Sequence, residues 1–321
     1  MARRRDEQDG RAGGGGGALA GGGTADGADG DAPAQVNDAE AAGAGAAAAD
    51  SVAAGPAASR VPAAVSEAGP LGSAFEAAVI PEWLEPARRT AATVPAGRLS
   101  RLLPPERGGR RSAVLVLFGQ GADGLPDLLF IERAGSLRSH AGQPSFPGGA
   151  LDPEDGDPLG EGPVNAALRE AWEETGLDPS GVEVFGRLPD LYIPVSDFVV
   201  TPVLGWWRRE SPVGPVDPAE VASVFRASLA ELSDPANRAM LRHPSGHTGP
   251  AFDVDGHLIW GFTAGVVDRL LYHCGWERPW DTSRRLELSE QAIRRSLRER
   301  DRVQRERAER AERAERERGR C

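Results

Sequence analysis

The segment "REAWEETGL" at 169–177 places Glu170, Glu173 and Glu174 on little more than one turn of a helix. On a 3.6-residue period the three carboxylates fall within an arc of about 100°. Like charges three and four residues apart cost roughly 0.2–0.5 kcal/mol per pair, so the cluster works against the helix that carries it. A bound cation would reverse that sign. Clustered oxygen donors with few His and no nearby Cys suit a hard divalent ion, and Mg²⁺ takes a few carboxylates together with water and substrate phosphate. Arg169, four residues before Glu173, stands where it can hold one carboxylate in place.

The same residues also fit an ordinary amphipathic surface helix. Val164, Leu168, Ala171, Trp172 and Thr175 share one face, and Arg169, Glu170, Glu173 and Glu174 share the other. The flanking sequence shifts the balance towards a site. "FPGG" (146–149) brings Gly148 and Gly149, a residue type that lets backbone approach a ligand closely. The loop before the helix adds Asp152, Glu154, Asp155, Asp157 and Glu161. Further upstream, Arg138 and His140 are loop residues of a kind usually solvated, yet beside a carboxylate cluster they suit a polyphosphate, which Arg binds in a bidentate manner.

The elements that must position these groups are legible in outline. A helix over about 163–175 is framed by Pro163 in its first turn and Gly176 just past its end. "SAVLVLFG" (112–119) reads as a buried strand, "GADGLP" as a turn, and "DLLFIERA" (127–134) as the second strand of a hairpin. Residues 135–163, rich in Gly, Pro, Ser and Asp, read as one long ordered loop, a feature that is usually functional. "VEVFGRL", "DFVVTPVLGWW" and "LIWGF" are strand-like, 218–232 combines strand and helix, and 261–276 forms a closing amphipathic helix. Residues 75–103 form a helical lead-in broken by Pro81 and Pro86. Strands with helices between them imply an α/β layered domain.

The 321-residue chain divides into three parts. Residues 1–72 are Ala/Gly-dominated and lack the apolar area to offset ordering entropy, which predicts a disordered tail. "MARRR" is followed by acids and a Gly run instead of an apolar core, so it does not read as a secretory signal. Residues 74–282 suit one domain, and 283–321 form an Arg/Glu-rich tail, helical or disordered. Over 284–321 there are 14 Arg against 9 Asp and Glu, or +5; with the whole chain at −11, the remainder carries −16. That acidity argues against nucleic-acid binding by phosphate attraction. No stretch reaches the roughly 18–20 apolar residues of a membrane span. Cys274 and Cys321 make neither a disulfide framework nor a metal site, which predicts a cytoplasmic setting.

"GG…E-x7-REAWEETGL" resembles the signature box of the Nudix hydrolases, G-x5-E-x7-R-E-U-x-E-E-x-G-U with U aliphatic. Arg169, Glu170, Ala171, Glu173, Glu174, Gly176 and Leu177 fit its second half, and Glu161 stands ahead of Arg169 with seven residues between them. The first half departs: the place of the expected glycine is held by Asp155, and Gly149 lies 20 residues before Arg169, with "DPLGEG" as the inserted stretch. "LLFIERAGSLRSHAGQPSFPGG" is similar to the upstream segment of the coenzyme A pyrophosphatase branch, matched at Arg133, Arg138, Gly142 and Phe146 to Gly149, with Gln143 in place of the usual Glu.

The resemblance implies an α/β/α sandwich with a mixed β-sheet and metal-assisted hydrolysis of a pyrophosphate bond. Glu170, Glu173 and Glu174 would hold Mg²⁺ or Mn²⁺, with Arg169 orienting them. Arg133, Arg138, His140, Gly148 and Gly149 would meet the substrate, and Glu161 and Glu220 are additional acids. Coenzyme A would give 3′,5′-adenosine bisphosphate and 4′-phosphopantetheine. ADP-ribose, a dinucleotide or a nucleoside triphosphate stand as alternative substrates, and a non-catalytic nucleotide- or protein-binding module as an alternative of another class. The expected partner is a small nucleotide, with homodimer formation left open, and neither nucleic acid nor membrane.

Overall fold

The computed structural model describes residues 71–316, apart from 107, 122, 136, 138–140, 195, 244–245 and scattered positions beyond 290. The expected disordered tail therefore lies outside the described residues, save for Leu71 and Gly72.

Three short helices lead in: α1 (Leu71–Ala77), α2 (Glu85–Thr93) and α3 (Ala96–Leu99). Pro86 begins α2 instead of breaking it, because a proline in the first turn gives up an N–H that has no helical partner. Then follow β1 (Arg110–Gln120), β2 (Pro126–Arg133), β3 (Pro144–Ser145), β4 (Gly148–Ala150), α4 (Gly162–Thr175), β5 (Val182–Arg187), β6 (Leu191–Ile193), β7 (Phe198–Trp207) and β8 (Val221–Ser228). The chain closes with α5 (Leu229–Ser233), β9 (Arg238–Arg242), β10 (Thr248–Val254), β11 (His257–Ile259), α6 (Gly261–His273) and β12 (Arg285–Leu286).

The main sheet is mixed, ordered β3-β2-β1-β7-β5, with β8 beside β2, β4 beside β1 and β6 beside β7. β1 runs parallel to β7 along Arg110–Phe118 and is covered on both faces, which is why it reads as an unbroken apolar run. Ala113, Leu115, Leu117 and Leu129 pack with Val164, Ala167, Leu168 and Ala171 of α4. On the opposite face Val114, Val116, Phe118, Leu128 and Phe130 meet Leu84, Ala87, Phe252 and the apolar side of α6. This is the expected layered α/β/α arrangement. A second sheet, β11-β10-β9-β12, was not foreseen.

The expected β1–β2 hairpin forms only beside its turn, from Phe118↔Leu128 to Gln120↔Pro126. Beyond those pairs the two strands part, and residues 144–150 fill the fork. β3 pairs with β2 at Ile131 and Glu132, β4 pairs with β1 at Ser112–Val114, and the Leu115 N–H donates to the Pro147 carbonyl at 2.8 Å. The segment 135–163 is thus not a single loop: it contains two strands and a 3-10 turn at Pro153–Asp155.

"LIWGF" is also not one strand. β11 ends at Ile259 and α6 starts at Gly261, a switch that a short apolar run does not reveal. β12 pairs in parallel with β9, and Leu288 is buried with Leu241, Ala251 and Trp260, so the folded body runs past the expected boundary at 282.

One charged side chain ties the second sheet to α6. Arg238 is 1% exposed, donates to Asp268 at 2.5 Å and to Glu277 at 2.9 Å, and lies over the Trp280 ring at 4.3 Å. Cys274 is buried 3.6 Å from the Thr90 hydroxyl, and burial pushes its thiol up to about 11, so it is an unreactive core residue. No helix among the described residues is long and apolar enough to cross a membrane.

Candidate active site

Helix α4 carries the acidic patch and ends as its sequence dictates. Gly176 adopts φ 73°, the left-handed conformation that glycine takes without strain, and its N–H donates to the Trp172 carbonyl. The β7–β8 connection supplies further caps: Val216 N–H donates to the Glu174 carbonyl at 3.2 Å and Gly214 N–H to that of Thr175 at 3.0 Å.

The polar face of α4 is not a solvated one. Glu170 and Glu174 are each 7% exposed, whereas Glu173 is open to water and Trp172 half-buried. The surface that covers the two buried carboxylates is the Gly148–Gly149 bend in the fork. The Gly148 N–H donates to Glu174 Oε2 at 3.0 Å. A Cβ on Gly149 would occupy the position of the Glu170 carboxylate. The Gly149→Ala variant is therefore expected to keep its fold, since the displaced group ends a flexible side chain, and to lose roughly tenfold or more in turnover because Glu170 is dislodged. Steady-state kinetics beside a thermal melt checks this; unaltered turnover would show that the position of Glu170 does not matter.

Arg169 gathers the acids. Its Nε and Nη2 donate to the two oxygens of Asp155 at 3.0 Å each, its Nη1 to Glu170 and to Glu173 at 3.0 Å, and Nη2 also to the Ala150 carbonyl at 3.1 Å. Burial works against its charge, but hydrogen bonding to Asp155 and the charges of Glu170, Asp155 and Glu173 hold its pKa above the ordinary value. Asp155 is itself fixed: its side chain accepts from Asp152 N–H at 2.8 Å, and its carbonyl accepts from the Asn165 amide at 2.9 Å.

Fixed-spacing counting back from the helix assigns this anchoring place to Glu161. The structure gives it to Asp155, the sixth residue after Gly149, and counting forward from that glycine would have found it. The extra residues thus lie between the anchor and the helix. Glu161 stays with that inserted turn, its carboxylate 3.3 Å from the Asp157 N–H that it accepts.

Arg133, at the end of β2 and 8% exposed in its side chain, lies 3.8 Å from Glu174. Burial pushes the Glu174 carboxyl up to about 8 against the pull of Arg133, and the charges of Glu170 and Glu220 add to the rise. Glu220, exposed at the end of the β7–β8 connection, is thereby within electrostatic reach of the site. Burial likewise pushes Glu170 up to about 7, despite Arg169, with Glu173 and Asp152 contributing.

The three helix glutamates do not close on one point. Glu170 and Glu174 face the glycines while Glu173 reaches outward along Arg169, and no three His, Cys, Asp or Glu groups among the described residues stand ready to hold an ion. The chemistry of the donor set nevertheless fits a hard cation: it is all oxygen, and its two desolvated carboxylates have pKa values raised by burial, which positive charge would relieve. Arg138 and His140 lie outside the described residues.

A mixed sheet with an acidic helix clamped over a double-glycine bend defines the class: the chain belongs to the Nudix hydrolase family. The NUDIX domain model matches residues 109–246. The chain is similar to the "Uncharacterized Nudix hydrolase NudL" of Cronobacter sakazakii, 38% identical over 177 residues, which cover 53% of this chain and 85% of that protein. The protein of the same name from Escherichia coli K12 is 36% identical over 169 residues, covering 52% and 83% respectively. A solved structure, the Nudix hydrolase RenU of M. smegmatis, is 17% identical with a TM-score of 0.38, covering 55% of this chain and 91% of that one.

Proposed function

We propose that this Nudix hydrolase cleaves the diphosphate of coenzyme A or its derivatives, giving 3′,5′-adenosine bisphosphate and a 4′-phosphopantetheine. The observation that carries the reading is the closeness of two motifs. Arg133 and Gly148, both from the segment similar to the coenzyme A branch, stand directly against Glu174. Glu170, Glu173 and Glu174 would hold Mg²⁺ or Mn²⁺, which when bound would neutralise the diphosphate and acidify a water. Arg169 positions Glu170 and Glu173, and Asp155 positions Arg169. A helix glutamate with a pKa near neutrality is suited to take the proton of the attacking water. Glu220 is proposed as an additional acid, supported by its influence on Glu174. Arg138 and His140 are proposed as substrate contacts and the cytoplasm as the setting.

Purified protein with Mg²⁺ and a panel of coenzyme A, ADP-ribose, a dinucleotide and a nucleoside triphosphate tests the assignment, with products resolved by chromatography. Dominant release of 3′,5′-adenosine bisphosphate supports it; preference for another substrate sinks it.

The raised carboxyls also set the pH behaviour of metal-free protein. Their folded values of about 7 and 8 lie above the ordinary 4.5, so the folded chain keeps protons that the unfolded chain has released. Their contribution to stability is complete below about 4.5 and drains away as pH rises through 7 and 8. The melting temperature of metal-free protein should therefore fall between pH 5 and pH 8, and added Mg²⁺ or Mn²⁺ should raise it more at pH 8. A shallower profile in Glu174→Gln than in the wild type would assign part of the slope to that carboxyl; a flat wild-type profile would remove the explanation.

A further inference from the structure

Arg133 stands at an irregularity in the main sheet. Between Glu132 and Arg133 the pairing of β2 with β8 slips, from Glu132↔Ser223 to Arg133↔Val221, which leaves Ala222 as an extra residue on β8. Such a bulge twists the pair locally and re-aims side chains. On the edge away from β8, Arg133 N–H donates to the Gln143 carbonyl at 3.1 Å, and Gly142 N–H donates to the Arg133 carbonyl at 2.9 Å. The backbone at this residue is therefore held on both edges of the strand.

The side chain so aimed is enclosed, and its Nη1 lies 3.8 Å from Glu174 Oε1. Its Nε is closed to solvent and has no hydrogen-bond partner among the described residues. The other oxygen of Glu174 accepts from Gly148 N–H at 3.0 Å. Glu174 is thus addressed from two sides, by β2 through Arg133 and by the segment 144–150 through Gly148. Two features separate this guanidinium from one that grips a phosphate. A phosphate-binding arginine presents its N–H fork in parallel bonds to the ligand, whereas this one is walled in. A gap of 3.8 Å also exceeds hydrogen-bond reach, so Glu174 receives a fixed positive charge and no directional bond.

We infer that Arg133 is a positioning residue: it acts on the reaction through Glu174, holding that carboxylate at the glycine bend, and does not touch the diphosphate. The inference rests on the proposed role of Glu174 at the reaction centre. It gives Arg133 a different task from the substrate contact expected of it in the sequence. Lysine supplies a point charge as well as arginine does, but it cannot reproduce a bidentate grip. The two roles therefore respond differently to the same substitution.

The test is a cycle in the full chain of Arg133→Gln, Glu174→Gln and the double variant, run on whichever diphosphate of the panel the wild type cleaves. Arg133→Gln should lower kcat by about 10- to 100-fold and leave KM within about threefold. In the Glu174→Gln background the same substitution should cost less than about twofold more, because residues acting as one unit are not additive. Arg133→Lys should keep most of the wild-type kcat. Calorimetric titration with methylenediphosphonate in saturating Mg²⁺ reads the substrate side without turnover, and both Arg133 variants should bind it within about threefold of the wild type. Arg133→Lys retains the buried charge, so it decides the matter even where thermal melts show the glutamine variant to be unfolded. A KM raised about tenfold or more, a matching loss of diphosphonate affinity in Arg133→Lys, or full multiplication of the two single losses overturns the positioning role. Wild-type turnover in Glu174→Gln removes Glu174 from the reaction and this inference with it. Preference for a substrate other than coenzyme A, with the coupling intact, overturns the substrate assignment alone.

Discussion

Glu173→Gln is expected to melt with the wild-type protein and to lose turnover by about 10²–10⁴-fold. The two halves of that expectation have separate causes. Glu173 is exposed and bonds to one partner, Arg169, at 3.0 Å. An exposed pair at this spacing is worth about 0.3–0.5 kcal/mol, and the glutamine keeps an oxygen that can accept the same bond. What disappears is one unit of negative charge facing the site. If that charge helps to hold the cation, its loss removes several kcal/mol from stabilisation of the reaction. Steady-state rates measured beside a melting curve decide the matter, and wild-type turnover in the variant would remove Glu173 from the metal site.

The largest expected loss of stability lies outside the acidic helix, at Arg238 on β9. Its guanidinium is enclosed, bonded to Asp268 and Glu277 and stacked on Trp280. Truncation to alanine removes the enclosed partner of Asp268 and leaves it, among the described residues, with the part-exposed Arg269 alone. Removing one partner of a buried ion pair costs about 3–5 kcal/mol. For a domain of this size that corresponds to a fall in melting temperature on the order of 10 °C. The double variant Arg238→Met/Asp268→Leu should recover much of the loss, because two apolar groups leave no buried charge unpaired. A single variant that melts within a degree or two of the wild type would show that the pair contributes little.

Much of this architecture was written in short-range patterns. The ends of α4 follow from Pro163 and Gly176, and β1, β2, β5 and β7 from apolar runs between turn residues. The missed features depend on what lies against a residue in space. A helical projection places Glu170 and Glu174 opposite the apolar face and thus in water; it does not contain the glycine bend that covers them. β3 and β4 are too short, and too rich in Pro and Gly, for alternation to show. β9 and β10 were missed because Arg238 is an inward-facing cation and Gly249–Pro250 interrupt the strand signature. Asp155 was hidden by fixed spacing, since the chain preserves the geometry of its anchor and not the number of residues after it.

The fork between β1 and β2 carries a liability of its own. The wedge at 144–150 plugs hydrogen-bonding positions on both strands, so the machinery for chemistry also seals two raw sheet margins. Were the wedge to peel away, those margins would be open to recruiting a strand from a neighbouring molecule. Inactivation and the first step of aggregation would then be one and the same event.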